Sequence, residues 1–87
     1  TATDGRNKGF NLVVLEDNKQ FFPPYNAAPV IREEVLKENA EVGELLNKMA
    51  AKLNEETMTD LNYRVDIKHE DVTKVAREWL TENGLIK

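Results

Sequence analysis

Residues 40–53 read AEVGELLNKMAAKL. Val42, Leu45, Leu46, Met49 and Leu53 stand at i, i+3, i+4, i+7 and i+11, so a winding of 3.6 residues per turn gathers them into one apolar stripe. A strand, whose side chains alternate with period two, would scatter the same residues over both faces. The spacing therefore predicts a helix over 40–53. Downstream the pattern repeats: Asn54 is placed to cap a helix over 55–65 that carries Met58, Leu61 and Val65 on one side. Val72, Val75, Ala76, Trp79 and Leu80 form a third stripe over 70–83, in which Trp79 is a packing residue. Asn83-Gly84-Leu85 reads as a helix stop, with Gly84 in the left-handed region and Leu85 folding back.

Upstream of the stripe the character changes. Leu12-Val13-Val14-Leu15 is a continuous apolar run bounded by Asn11 and by Glu16-Asp17-Asn18, the pattern of a short strand buried on both faces. In Phe21-Phe22-Pro23-Pro24-Tyr25 two prolines fix φ and withhold two amide donors, so the rings are displayed from extended backbone. Ala28-Pro29-Val30-Ile31 forms a second short strand, with Pro29 suited to its start or to an edge. Thr1 to Lys8 is polar and contains the turn pair Asp4-Gly5. The expectation is an α/β chain, mostly helical with two short strands near 12–16 and 28–31. It forms one domain over 1–87: a crossing loop at 1–11, strands and an aromatic-proline loop at 12–31, and a helical part at 33–87.

Composition narrows the function. A chain of 87 residues buries only about 60–65% of its unfolded surface, which leaves a thin stability margin. With 40% hydrophobic and 32% charged residues the make-up is that of an ordinary globular protein, and no stretch approaches the roughly 20 apolar residues needed to cross a bilayer. The net charge of -4, with Lys and Arg interleaved among Glu and Asp, offers no basic face for nucleic acid. The absence of cysteine removes disulfides, thiolate nucleophiles and zinc knuckles together. The chain begins at Thr1 without a start methionine or a signal segment, and so reads as a processed or excised piece of something longer.

Catalysis is hard to assemble from this inventory. His69 is the only histidine, so no Ser-His-Asp constellation and no histidine-rich metal site closes within the chain. It stands in Lys68-His69-Glu70-Asp71 directly before the last helix and reads as an exposed residue at a helix start. The acid pairs Glu33-Glu34 and Glu55-Glu56 lie near helix N-termini, where the helix dipole favours negative charge, and adjacent helical residues diverge. The four glycines lack the spacing of a phosphate loop. No catalytic residue, metal or cofactor is expected, and the chain reads as a binding module and not an enzyme.

Phe21, Phe22 and Tyr25 place three of the six aromatic residues within five positions. Phe21 and Phe22, with no polar tip, belong to a core. Tyr25 stands open between two roles. It can be a core ring, or its electron-rich face can meet a quaternary ammonium group, a contact of roughly 0.5–2 kcal/mol per ring.

The strings Thr3-Asp4-Gly5-Arg6, Leu12 through Lys19, and Phe22-Pro23-Pro24-Tyr25-Asn26-Ala27-Ala28-Pro29-Val30-Ile31-Arg32 together resemble the C-terminal segment of the substrate-binding proteins of quaternary-amine ABC importers. The likeness continues through Leu46-Asn47-Lys48, Met58 with Leu61-Asn62-Tyr63, and Val75-Ala76-Arg77-Glu78 to Gly84-Leu85, and so covers nearly the whole chain. That family has a two-lobed, type II periplasmic-binding architecture in which ligand is trapped in a cleft between α/β lobes. The resemblance makes this chain the piece that runs from the end of the second lobe through a hinge strand into the first lobe's C-terminal portion.

The resemblance implies a solute-binding component for glycine betaine, choline or carnitine, with Tyr25 at one position of a tyrosine cage. The family's other cage tyrosine in this region falls 24 residues earlier, where this chain has Thr1. Thr3 and Asp4 match the turn beside the cleft, where their polar atoms either orient ligand or close the turn. The implied ligand residues are thus Tyr25, Thr1, Thr3 and Asp4. The implied partners are the solute, ABC permease subunits and the remaining lobe, at the outer face of the membrane or in the periplasm. Relatives of similar sequence take other trimethylated solutes such as ergothioneine, and the alternative is a structural or protein-interaction domain that binds no solute.

Overall fold

All three amphipathic stripes are helical in the computed structural model, which describes residues 2–23 and 27–87. The elements in chain order are α1 (Gly5–Gly9), α2 (Glu33–Glu38), α3 (Ala40–Ala51), α4 (Glu55–Asp66) and α5 (Val72–Glu82). The chain divides into two compact units, one made of the residues up to Val14 together with Lys52–Lys87, the other of Leu15–Ala51.

In the first unit the ends of the helices are written in side chains. The Asn54 side chain accepts from the Thr57 amide at 2.8 Å and starts α4. Asp71 does the same for α5 through Lys74 N at 3.0 Å. At the far end of α5, Leu85 N donates to Leu80 O at 2.9 Å and Gly84 N donates to Thr81 O at 3.1 Å, while Gly84 sits at φ 70°. This pair of bonds satisfies the last carbonyls of the helix and favours glycine at the left-handed position. Val75 on α5 is the buried apolar side chain among those described, at 3% exposure. Trp79 and Leu80 are half-buried and Val72 is exposed, so the stripe on α5 is covered along only part of its width.

The stretch expected to be a crossing loop contains α1. A helix of five residues has too few internal bonds to stand alone, and two things hold this one. Asp4 caps it through the Arg6 amide at 2.9 Å. Its glycines let it lie directly on α4: a β-carbon at Gly5 would overlap Tyr63 N and Asn62 C, and one at Gly9 would come within 2.8 Å of Ile67 Cγ1. Asn62 Nδ2 donates to Thr3 O at 2.7 Å and Lys8 Nζ meets Asp60 Oδ1 at 2.5 Å, which fixes both ends of the contact.

The α4–α5 junction is tied by one guanidinium. Arg64 Nε and Nη2 donate to the two Glu70 oxygens at 3.0 and 2.8 Å, and Nη2 also reaches Glu78 Oε2 at 2.6 Å. The Arg64 bonds hold the Glu70 carboxyl below the usual range, and those of Glu70 and then Glu78 push Arg64 higher still. Between the helices the exposed His69 takes φ 58°.

In the second unit α2 opens on Glu33 and Glu34 and closes on Lys37, the charge order the helix dipole favours. Asn39 separates it from α3 and returns its side-chain amide to Val35 O at 3.1 Å. Gly43 admits Leu36, whose Cδ1 would stand 2.8 Å from a β-carbon there. Val42, Leu46 and Met49 on α3 are half-buried and Leu45 is exposed. The helix stops at Ala51, two residues short of the predicted end.

The two short strands expected near 12–16 and 28–31 are not found among the described residues; neither stretch joins a β-ladder. Leu12 N instead donates to Asn7 O at 2.8 Å, continuing the turn that closes α1. A strand exists through hydrogen bonds to a neighbouring strand, and no described segment of this chain pairs with either run in that way. The apolar side chains that suggested burial on two faces are consequently open, with Val13 and Leu15 each 85% exposed and Val30 96%.

Candidate ligand-binding site

Of the four residues the sequence nominates for ligand, Thr1 and Tyr25 lie outside the described residues. Thr3 and Asp4 lie at the entry to α1, where both are half-buried. Thr3 is held through its carbonyl by Asn62, and the preceding Ala2 carbonyl accepts from Thr59 Oγ1 at 3.4 Å. The Asp4 carboxylate has internal partners on both oxygens: besides the Arg6 amide it accepts from Arg6 Nε at 3.1 and 3.2 Å and from Arg6 Nη2 at 2.7 Å. The Arg6 guanidinium, and then the Arg6 amide, hold this carboxyl well below the usual carboxylate range. Asp4 is therefore an anion throughout the neutral range, fixed in direction by a bidentate clamp.

The approach to the Phe-Pro-Pro-Tyr motif is built around Asp17. Its two carboxylate oxygens accept separately, Oδ1 from the Phe21 amide at 3.0 Å and Oδ2 from the Phe22 amide at 2.8 Å. Those two amides, Phe22 first, lower the pKa of the carboxyl. Gln20 N donates to Asp17 O at 3.1 Å, and Gln20 takes φ 52° to let the chain turn. The result is a closed turn from which the Phe21 and Phe22 rings project as an edge-to-face pair with centroids 5.0 Å apart. Both rings are open to solvent, at 82% and 67% exposure, where the sequence suggested core residues. They lack a covering surface for the same reason the apolar runs beside them do. In the sequence Asp17 stands out only as a boundary of the preceding run. The signal that would have found it is an Asp four and five residues before amides that a following Pro-Pro leaves without a regular partner.

Tyr63 shows what a tyrosine does with an ammonium group in this protein. Lys8 Nζ lies 4.7 Å and Lys68 Nζ 5.6 Å from its ring centroid, both within cation–π range. An open groove in the first unit has Lys8, Asp60, Leu61, Arg64 and Trp79 among its lining, and neither Thr3 nor Asp4 contributes to it. Its Lys8 and Asp60 are paired with one another, and Arg64 is engaged by Glu70 and Glu78. No cluster of three or more metal-ligating side chains exists among the described residues, and no helix among them is long and apolar enough to cross a membrane.

Residues 1–82 match the OpuAC family, the substrate binding domain of ABC-type glycine betaine transport systems, and the chain belongs to that family. Membership carries with it the periplasmic-binding-protein fold. The chain is 48% identical over 85 residues to a glycine-betaine-binding protein of Pseudomonas aeruginosa, an alignment covering 98% of this chain and 27% of that protein. It is 42% identical over 83 residues to the carnitine transport binding protein OpuCC of Listeria monocytogenes, covering 95% of this chain and 27% of the relative. It is also 43% identical over 84 residues to the ergothioneine transport permease/ergothioneine binding protein EgtU of Helicobacter pylori, covering 97% of this chain and 15% of that one. The chain thus spans about a quarter of the length of the first two relatives.

Proposed function

We propose that this chain forms part of the solute-binding component of an ABC importer for quaternary ammonium compatible solutes such as glycine betaine, choline or carnitine. The observation that carries the proposal is the family match over residues 1–82. The two relatives that are 48% and 42% identical, whose names specify glycine betaine and carnitine, give the solute class. In this reading Tyr25 offers its ring to the trimethylammonium head, and Thr1, Thr3 and Asp4 are the other ligand residues that the resemblance implies. The chain works by binding and release, without a chemical step. Its partners are the solute, the remaining lobe of the parent protein and the permease subunits that accept the solute at the outer face of the membrane or in the periplasm.

One ring cannot hold such a cation alone. Each aromatic face contributes on the order of 1 kcal/mol, while millimolar affinity already needs about 4 kcal/mol beyond the entropic cost of association. The cage is completed by rings from the rest of the parent. Calorimetric titration of the full-length parent with glycine betaine, choline and carnitine tests the proposal. One of them binds the wild-type protein, and Tyr25→Ala weakens that binding strongly with the fold intact. No heat with any trimethylated solute favours the alternative, a structural or protein-interaction domain.

A second reading has its own support. Thr1 stands where the resemblance places a cage tyrosine, and a relative with 43% identity is named for ergothioneine. A cage with one ring fewer suits a trimethylated solute that carries an aromatic group of its own. Adding ergothioneine to the same titration separates the two readings.

A further inference from the structure

The carboxylate of Asp17 spans two consecutive amides with separate oxygens, at 3.0 and 2.8 Å. A side chain that only ends a turn makes one such bond; two on successive residues fix the orientation of the peptide plane between Phe21 and Phe22 as well as its place. The Asp17 carbonyl adds a third tie through Gln20 N at 3.1 Å, and Gln20 accepts the left-handed φ of 52° that this closure demands. The next residue is covalently stiff: Pro23 has φ locked at about -65° by its ring. Phe22, as the residue before a proline, is held to the extended region. A constraint on the Phe22 amide therefore sets the direction in which the chain enters Pro23.

We propose that Asp17 is the positioning residue of the ligand loop, setting through the Phe21 and Phe22 amides the course on which the chain enters Pro23-Pro24-Tyr25. The proposal rests on the reading of Tyr25 as a cage ring, but its local part does not. No other side chain does this work for the turn among the described residues, because Phe21 and Phe22 are exposed and bring only their mutual edge-to-face contact. The turn from Asp17 to Phe22 is held by a carboxylate and not by packing.

The test uses the full-length parent with three substitutions, Asp17→Ala, Asp17→Asn and Tyr25→Ala, titrated with glycine betaine, choline and carnitine. Thermal unfolding and hydrogen exchange at the Phe21 and Phe22 amides are followed in parallel. Asp17→Ala is expected to lower affinity at least about tenfold, the loss of a charge-assisted anchor, with the unfolding temperature close to wild type and the two amides exchanging freely. Asp17→Asn recovers part of both, since its amide oxygen still accepts one of the two bonds, a partial rescue that a general loss of stability would not produce. Wild-type affinity in Asp17→Ala alongside lost binding in Tyr25→Ala overturns the positioning role and leaves the cage standing. Equal loss in Asp17→Ala and Asp17→Asn, with both proteins globally destabilised, also overturns it. If the wild-type protein takes up none of the solutes, the cage reading falls, and amide protection that disappears only in Asp17→Ala still supports control of the loop by Asp17.

Discussion

Gly5 lies with its backbone against that of Tyr63, so close that a β-carbon on the glycine would overlap the Tyr63 nitrogen and α-carbon. The neighbour is main chain in the middle of α4 and cannot swing aside. Gly5→Ala therefore forces α1 off α4 and weakens the Asn62–Thr3 bond, although alanine is the better helix former. We expect a loss of about 1–3 kcal/mol, measured by urea unfolding. A variant as stable as the parent would show that α1 is not seated as described.

The Arg64 junction gives stability a pH signature. The folded-state pKa of Glu70 is lowered by Arg64, so its contribution is complete above the ordinary carboxylate pKa. It is lost as pH falls through the lower folded value. Asp4, lowered by Arg6, behaves in the same sense and acts as an independent background. Arg64→Met should flatten the fall of the unfolding temperature between about pH 5 and pH 3, and Arg6→Met should flatten it separately. An unchanged slope in Arg64→Met would remove Glu70 as a source of the acid sensitivity.

At Tyr25 the two substitutions that shorten and soften the ring differ in kind. Tyr25→Phe keeps the π face and loses only the hydroxyl, so binding of the preferred trimethylated solute by the full-length parent should fall far less than in Tyr25→Ala. Equal losses would assign the contact to the hydroxyl and not to the ring face.

The apolar runs predict association. Val13 and Leu15 at 85% exposure and Val30 at 96% leave apolar side chains open to solvent on backbone that joins no β-ladder. The isolated 87-residue chain should self-associate in sedimentation at high concentration, and Val13→Lys with Leu15→Lys should shift it toward monomer. A strictly monomeric 87-residue chain would contradict this.

How much of the molecule is legible in its sequence depends on whether a feature is settled locally. The helices at Ala40–Ala51, Glu55–Asp66 and Val72–Glu82 are readable because their stripes and caps lie within a few residues of each other. Asn54 and Gly84 perform the capping roles their types suggest. Leu12–Leu15 and Ala28–Ile31 read as strands because apolar continuity records what a segment wants to bury, and it carries no information about whether a partner runs alongside. The helical turn at Gly5–Gly9 is invisible for the opposite reason. It is too short to show a period, and it exists because residues more than fifty positions away present a surface with room for two glycines. In the candidate site, Thr3 and Asp4 stand at the entry to α1, and Asp17 escapes notice because its partners are amides, which no sequence displays.

The seating of α1 on α4 also fixes an order of events during folding. α4 and α5 are neighbours in sequence and can pair at small entropic cost, but α1 must wait for a surface that begins about fifty residues later in the chain. During synthesis the first turn is made long before the groove that receives it, and it remains unformed until Tyr63 and Ile67 have left the ribosome. When it docks, Thr3 to Asn62 and Lys8 to Asp60 join residues more than fifty positions apart within the first unit. α1 is therefore made before α4 and docked after it, so a substitution at Gly5 or Asn62 acts on the last step in closing this unit and leaves the earlier pairing of α4 with α5 untouched.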